Sequence, residues 1–349
     1  MRIAFSVPKA TSIHVQARLV EKRLSMDGHS VMYRSFISVY DVLHGLADSY
    51  MWFFIMNPTW VNPQAPAFIF AKEKADGRVV AYATIEGIPY PTLVQATGTK
   101  YVEYTANSYF TKECLEKVGY KVVDVVHHAI DLDEVERAVR LAGFARRKIK
   151  TDFKDRVVFC YVGRDDHRKQ LDRLMKAVDI LNERRGDDFV LLMHTELRRP
   201  KLFERPNVYI TSQFGQRPHY EVLALIAACD YMVFPSVCEG FGVPVLESMA
   251  VGTPVVHCWF PPLSEFSLKE ANITFDYIDE EFWKTSAEQY FWMHMYDPQD
   301  LADAMERAID IYKNYKSDYE DRRAKLREHA KRWDYRIVYS KFARKLGGG

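Results

Sequence analysis

Several large protein classes are excluded by what this sequence lacks. Five cysteines are scattered over 349 residues, odd in number and without a Cys-x-x-Cys pair, so neither a disulfide framework nor a structural zinc site is indicated. No apolar run approaches the roughly 20 residues of a membrane-spanning helix. The opening segment Met1–Pro8 reads as a strand, too short and too polar beyond Pro8 for a secretory leader, which points to a cytoplasmic protein. The formal net charge is +1, which gives nonspecific nucleic-acid binding no electrostatic basis.

What is present is ordinary for a soluble globular protein, with 48% apolar and 27% charged residues. The length suits two domains, each able to bury its own core. Arg2–Pro8 is the first expected strand. Ile13, Ala17, Val20 and Leu24 recur at helical spacing, and Gly28 closes that helix before the strand Ser30–Arg34. Further strands are expected at 50–56, 79–85, 101–106 and 122–130, with helices at 65–75 and 108–118. A basic stretch, 145–154, reads as a linker. The pattern then restarts with a strand at 156–163, a helix at 170–185, strands at 188–194 and 208–211, and a helix at 219–229. Strands alternating with helices imply parallel sheets covered on both faces. The fold class is therefore α/β, with two doubly wound domains at 1–150 and 151–330 and a C-terminal segment at 331–349.

The densest stretch of chemistry follows the apolar strand Tyr231–Pro235. Glu239 and Glu247, with seven residues between them, occupy a loop and the short helix after it. Gly240 and Gly242 let loop N–H groups approach a ligand closely, and Gly252 ends the helix. Two carboxylates so placed can grip several hydroxyls of a polyhydroxylated, phosphorylated ligand. Either glutamate alone is more ordinarily a solvated side chain. A second feature is the strand-to-helix loop Gly163-Arg-Asp-Asp-His-Arg-Lys169. Its cations and the following helix N-terminus can converge on an anion.

The run from Pro235 to Val256 resembles the signature of retaining GT-B glycosyltransferases, above all the family 4 type. The resemblance implies two Rossmann-like domains facing a central cleft, with a C-terminal helix, begun by Trp333-Asp-Tyr335, crossing back to the first. Arg164 and Lys169 stand where such enzymes clamp the donor diphosphate. Glu239 would bond a hydroxyl of the donor sugar, the backbone of Gly240, Phe241, Gly242 and Val243 would line the sugar and phosphate, and Glu247 would accept from both ribose hydroxyls. The implied donor is a UDP- or GDP-sugar, with no metal and no other cofactor. His127 and His128 have no acidic or cysteine partner at ligand spacing and read as structural. Base recognition would rest on loops such as 211–215.

The first domain departs from that pattern. Its first loop, Pro8–His14, lacks the adjacent glycines of many relatives, and Thr11 or Ser12 would supply hydroxyl donors instead. Glu86, where many relatives carry a histidine, is the acceptor-side candidate, with a helix cap or loop salt bridge as the equal alternative. A non-catalytic sugar-nucleotide scaffold and a GT-B epimerase or phosphorylase remain alternatives. The segment 272–296 is crowded with aromatics, which suits core packing better than an acceptor surface. From Tyr312 to Leu346 there are 12 Lys/Arg against 5 Asp/Glu. That bias suits weak contact with an anionic membrane surface, although a solvated helical face is the more ordinary reading.

Overall fold

The computed structural model describes residues 1–196, 198–211 and 214–348. The chain divides into two compact units: residues 1–130, 282–292 and 332–349 form one, and residues 131–281 and 293–331 form the other. Among the described residues, fifteen strands are numbered in chain order: β1 (Arg2–Ser6), β2 (Ser30–Arg34), β3 (Ser49–Ile55), β4 (Val79–Thr84), β5 (Gly87–Pro89), β6 (Glu103–Ala106), β7 (Lys121–Val125), β8 (Val157–Val162), β9 (Phe189–His194), β10 (Val208–Ile210), β11 (Tyr231–Phe234), β12 (Val255–Cys258), β13 (Ile273–Phe275), β14 (Asp279–Lys284) and β15 (Gln289–Met295).

In the first unit a six-stranded parallel sheet runs β2-β1-β3-β4-β6-β7. Its central strand β3 is buried on both faces, from Ser49 to Phe54, as a continuous apolar run in a parallel sheet requires. One face packs Trp52, Phe54 and Tyr104 with Phe68 and Phe110. The other packs Phe5, Phe53 and Tyr82 with Tyr339, Phe342 and Leu346. The C-terminal segment therefore seals this sheet: the Phe342 ring meets Tyr82 edge-on at 5.0 Å, and the Tyr339 hydroxyl donates to Gln16. A small sheet has the order β14-β15-β5; its segment Gln289–Phe291, in this unit, runs antiparallel to Gly87–Pro89.

In the second unit the parallel order is β10-β9-β8-β11-β12-β13. Strand order reverses between β8 and β11, and in open α/β sheets ligands sit at the carboxyl ends of the strands flanking such a switch.

The division falls at Ile130 and Asp131, not near residue 150. The basic stretch read as a linker is the end of a 22-residue helix, Leu132–Phe153. Asp131 caps it, accepting from the amides of Asp133 and Glu134 at 3.0 and 3.4 Å. Arg146 and Lys150 reach the buried Asp230 carboxylate at 2.8 and 2.6 Å, so these cations fasten the helix to the unit. The basic C-terminal stretch is likewise engaged internally. Arg322, Arg323 and Arg327 donate to the carbonyls of Glu270, Gly252 and Val251 at 2.9, 2.8 and 3.3 Å.

Candidate functional site

The site is built on the β8/β11 switch. After β8 the chain passes Gly163 and Arg164 into a single 3-10 turn, His167–Lys169, and Gln170 follows in the left-handed region at φ 48°. Helix Leu171–Arg185 then begins. After β11, Pro235–Gly242 forms the neighbouring loop. Because β8 and β11 are adjacent and parallel, their C-terminal loops lie side by side. Lys169 and Glu239, 70 positions apart, form a buried ion pair.

Three donors converge on one carboxylate oxygen. The Lys169 ammonium meets Glu239 Oε1, Arg168 Nη1 lies 2.9 Å from it, and Ser236 Oγ donates to it at 2.6 Å. Arg168 also bonds the Cys238 carbonyl at 3.1 Å. Burial alone would push the Glu239 carboxyl up, but Arg168 and Lys169 outweigh it and hold its pKa below the ordinary value. The group is an ionised, oriented acceptor. Arg164 stands outside this cluster: it is exposed, 3.5 Å from Glu196. The cation joined to Lys169 and Glu239 is Arg168, which the sequence reading passed over. Ser236 was passed over too, although it lies in the same conspicuous run.

Gly242 has φ 93° and precedes helix Val243–Val251. The backbone angle selects glycine, and a side chain there would meet Leu263 Cδ2 at 2.2 Å unless Leu263 shifted. Phe241 is buried and stacks on Phe266, centroids 4.6 Å apart and planes at 10°; its side chain belongs to the core. Val243 opens the helix, with Pro244 in its first turn. Glu247 lies one turn further, and its Oε1 is 2.8 Å from His219 Nε2. His219 Nδ1 is 3.1 Å from Glu134. Burial draws the imidazole pKa down, but Glu247 and Glu134 reverse that and raise it to about 11. An imidazolium therefore sits between two carboxylates. No local sequence pattern announces it, because its partners come from other helices.

In the first unit, Thr11 and Ser12 are the first two residues of helix Thr11–Met26, not loop residues, and both are exposed. Ala10 is the cap residue and offers no side-chain bond. Glu86 is half-buried between β4 and β5. Its N–H donates to Gln289 Oε1 at 3.1 Å, and its carbonyl accepts from the Trp292 amide at 3.1 Å. His128 is buried against the Tyr82 hydroxyl at 2.9 Å, and burial drives its pKa down to about 3. Among the described residues, no group of three or more His, Cys, Asp or Glu is placed to hold a metal ion. No described helix is long and apolar enough to cross a membrane. The 211–215 loop, expected to touch a base, includes Ser212 and Gln213, which lie outside the described residues.

Two doubly wound parallel sheets, with clustered cations and carboxylates at the switch of the second, define a GT-B type of molecule. Comparison with known proteins agrees. The family model for glycosyl transferases group 1 matches residues 144–266. An uncharacterized glycosyltransferase 335 of Sulfolobus islandicus rod-shaped virus 1 is 30% identical over 302 residues, spanning 85% of this chain and 87% of the viral protein. The chain belongs to the group 1 glycosyltransferases. Among solved structures, a glycosyltransferase from Rickettsia africae superposes with a TM-score of 0.74 at 14% identity, covering 99% of this chain and 98% of that one. Anabaena HepE in complex with UDP-glucose gives 0.69 at 13% identity, with 100% of both chains covered. These two likenesses establish the GT-B fold.

Proposed function

We propose that this glycosyltransferase is a retaining, metal-independent hexosyltransferase that uses a UDP- or GDP-sugar. The reading is carried by the buried pairing of Arg168 and Lys169 with Glu239 at the β8/β11 switch. When the bond between the sugar's anomeric carbon and the β-phosphate oxygen breaks, negative charge develops on the diphosphate. Two fixed cations beside it stabilise that charge without a metal. Arg164, exposed on the same loop, is free to join them on the diphosphate when donor binds.

Glu239 presents its second oxygen, Oε2, to a sugar hydroxyl, while its first is occupied by Lys169, Arg168 and Ser236. Glu247 takes the ribose hydroxyls; its two oxygens match two adjacent donors. The acceptor oxygen bonds to the anomeric carbon on the face the diphosphate leaves, and its proton passes to the departing phosphate oxygen. Glu86 is the acceptor-side residue, and Thr11 and Ser12 offer hydroxyls at the start of the first helix. HepE was solved with UDP-glucose, which supports testing that donor first.

The experiment is nucleotide release from UDP-glucose and GDP-mannose, with and without candidate acceptors, in buffer containing a chelator. Release with product of retained anomeric configuration is expected. Tight nucleotide binding without turnover on any donor would favour the scaffold reading, and activity abolished by the chelator would overturn metal independence.

A further inference from the structure

Helix Leu132–Phe153 has two unlike faces. Its inner face buries Val135, Ala138 and Ala142. On the opposite side Arg137, Arg140, Leu141, Phe144 and Lys148 recur at helical spacing, all exposed. Phe144 is 72% and Leu141 46% exposed, unusually open for adjacent large apolar side chains. Between this face and helix His219–Ala228 lies a cavity of about 530 Å³, walled by Arg137, Arg140 and Arg217, with one carboxylate, Glu221, over Leu141, Ala224 and Leu225.

The cations of this face are only loosely engaged. Arg140 lies 3.8 Å from Glu136, and Arg217 lies 3.5 Å from Glu221. Arg137 covers the Tyr220 ring at 3.7 Å. Arg147 and Lys148 extend the positive band, and Arg147 lies 6.0 Å from the Phe144 ring. From Arg137 to Lys148 this side of the helix carries no acidic residue; Asp133 and Asp152 lie at its ends, and Glu134 and Glu136 flank it.

We propose that this face docks the protein on an anionic lipid bilayer. Leu141 and Phe144 enter the headgroup boundary, and a lipid phosphate sits among Arg137, Arg140 and Arg217. Basic side chains flanking exposed apolar ones are what an interfacial helix presents to such a surface. A second copy of the chain suits the face less well. A two-fold dimer would set the arginine band against itself. In the basic stretch Tyr312–Leu346, by contrast, Arg322, Arg323 and Arg327 bond backbone carbonyls.

Liposome flotation of the purified full chain tests this, using phosphatidylcholine vesicles with and without phosphatidylglycerol. Binding is expected with phosphatidylglycerol alone and is expected to weaken as salt is raised. Arg140→Glu should lower the bound-to-free ratio about fivefold or more, since each cation near an anionic surface contributes roughly that factor. Phe144→Ser should lower it as well. Both side chains are exposed, so thermal melting should remain parental. Absence of parental binding, or variants that float like the parent, would overturn the proposal. So would a parental dimer in sedimentation velocity that Phe144→Ser splits, without any liposome binding, because the face would then belong to a second copy.

Discussion

His219 Nε2 stands 2.8 Å from Glu247 Oε1, so the carboxylate proposed for the ribose hydroxyls is held by an imidazolium that also faces Glu134 at 3.1 Å. With a folded pKa near 11, against 6.5 for the free group, the contribution of His219 to stability is fully present below about pH 6.5. It declines above that and is lost as pH rises through about 11. The stability gap between the parent and His219→Gln should therefore be larger at pH 7 than at pH 10.5, measured by urea unfolding. An equal gap at both values would mean that the imidazole is neutral. In the same protein, Glu247→Ala should weaken nucleotide binding, read by calorimetry, while leaving Glu239 and its cations in place.

Arg168 and Arg164 should separate cleanly. Arg168 pairs with a buried carboxylate that keeps Lys169 and Ser236, and losing one charged hydrogen bond of such a cluster costs about 1.5–3 kcal/mol. Arg168→Ala should lower the unfolding free energy by that order. Arg164 is exposed, and its alanine variant should stay within about 0.5 kcal/mol of the parent. Any loss of kcat in Arg164→Ala then does not come from lost stability, as the proposed diphosphate contact requires. Lys169→Ala should lower kcat by roughly two to three orders of magnitude, as loss of a preorganised charge does. If Arg168→Ala melted like the parent, the Glu239 cluster would not be held as described.

The contrast shows where sequence reasoning reaches and where it stops. Strands β8, β9 and β11 were legible because each is a short, almost wholly buried and largely apolar run, and Gly242 and Glu247 because the run containing them is local. Arg168 was not. Which cation of the 163–169 loop meets Glu239 depends on a 3-10 turn closed by Gln170 at positive φ, a conformation that no periodicity reports. The same limit misplaced the linker: the basic stretch holding Arg146 and Lys150 reads as a linker because their partner Asp230 lies 84 and 80 positions away. Thr11 and Ser12 read as loop because their helix begins without a side-chain cap.

Gly87 ties Glu86 to strand β15. A Cβ at Gly87 would lie 1.9 Å from the Tyr290 carbonyl oxygen and 2.7 Å from the Trp292 nitrogen. These are backbone atoms and cannot turn aside, so Gly87→Ala should part β5 from β15. The Glu86 carbonyl would then lose the Trp292 amide. The expected outcome is a lower Tm and faster amide exchange at Tyr290 and Trp292, with nucleotide binding retained, since Glu239 and Glu247 belong to the other unit. Parental exchange at both amides would refute the tie.

Gly242 allows backbone angle and steric room to be separated. At φ 93° an alanine is strained wherever its methyl points, at roughly 1–2 kcal/mol. The clash at 2.2 Å is with Leu263 Cδ2, the end of a flexible side chain. Leu263→Ala removes that atom and leaves a cavity, costing about 2–5 kcal/mol by itself. In the double variant the new methyl enters the vacated space, so the combined loss should be smaller than the sum of the two single losses by about 0.5–3 kcal/mol. Urea unfolding of all four proteins gives the coupling directly. Strict additivity would mean that Leu263 already moves aside and that the backbone angle alone selects glycine here. In either case nucleotide affinity should fall in Gly242→Ala and stay low in the double variant, because relieving the clash does not restore the loop angle that opens the Val243 helix.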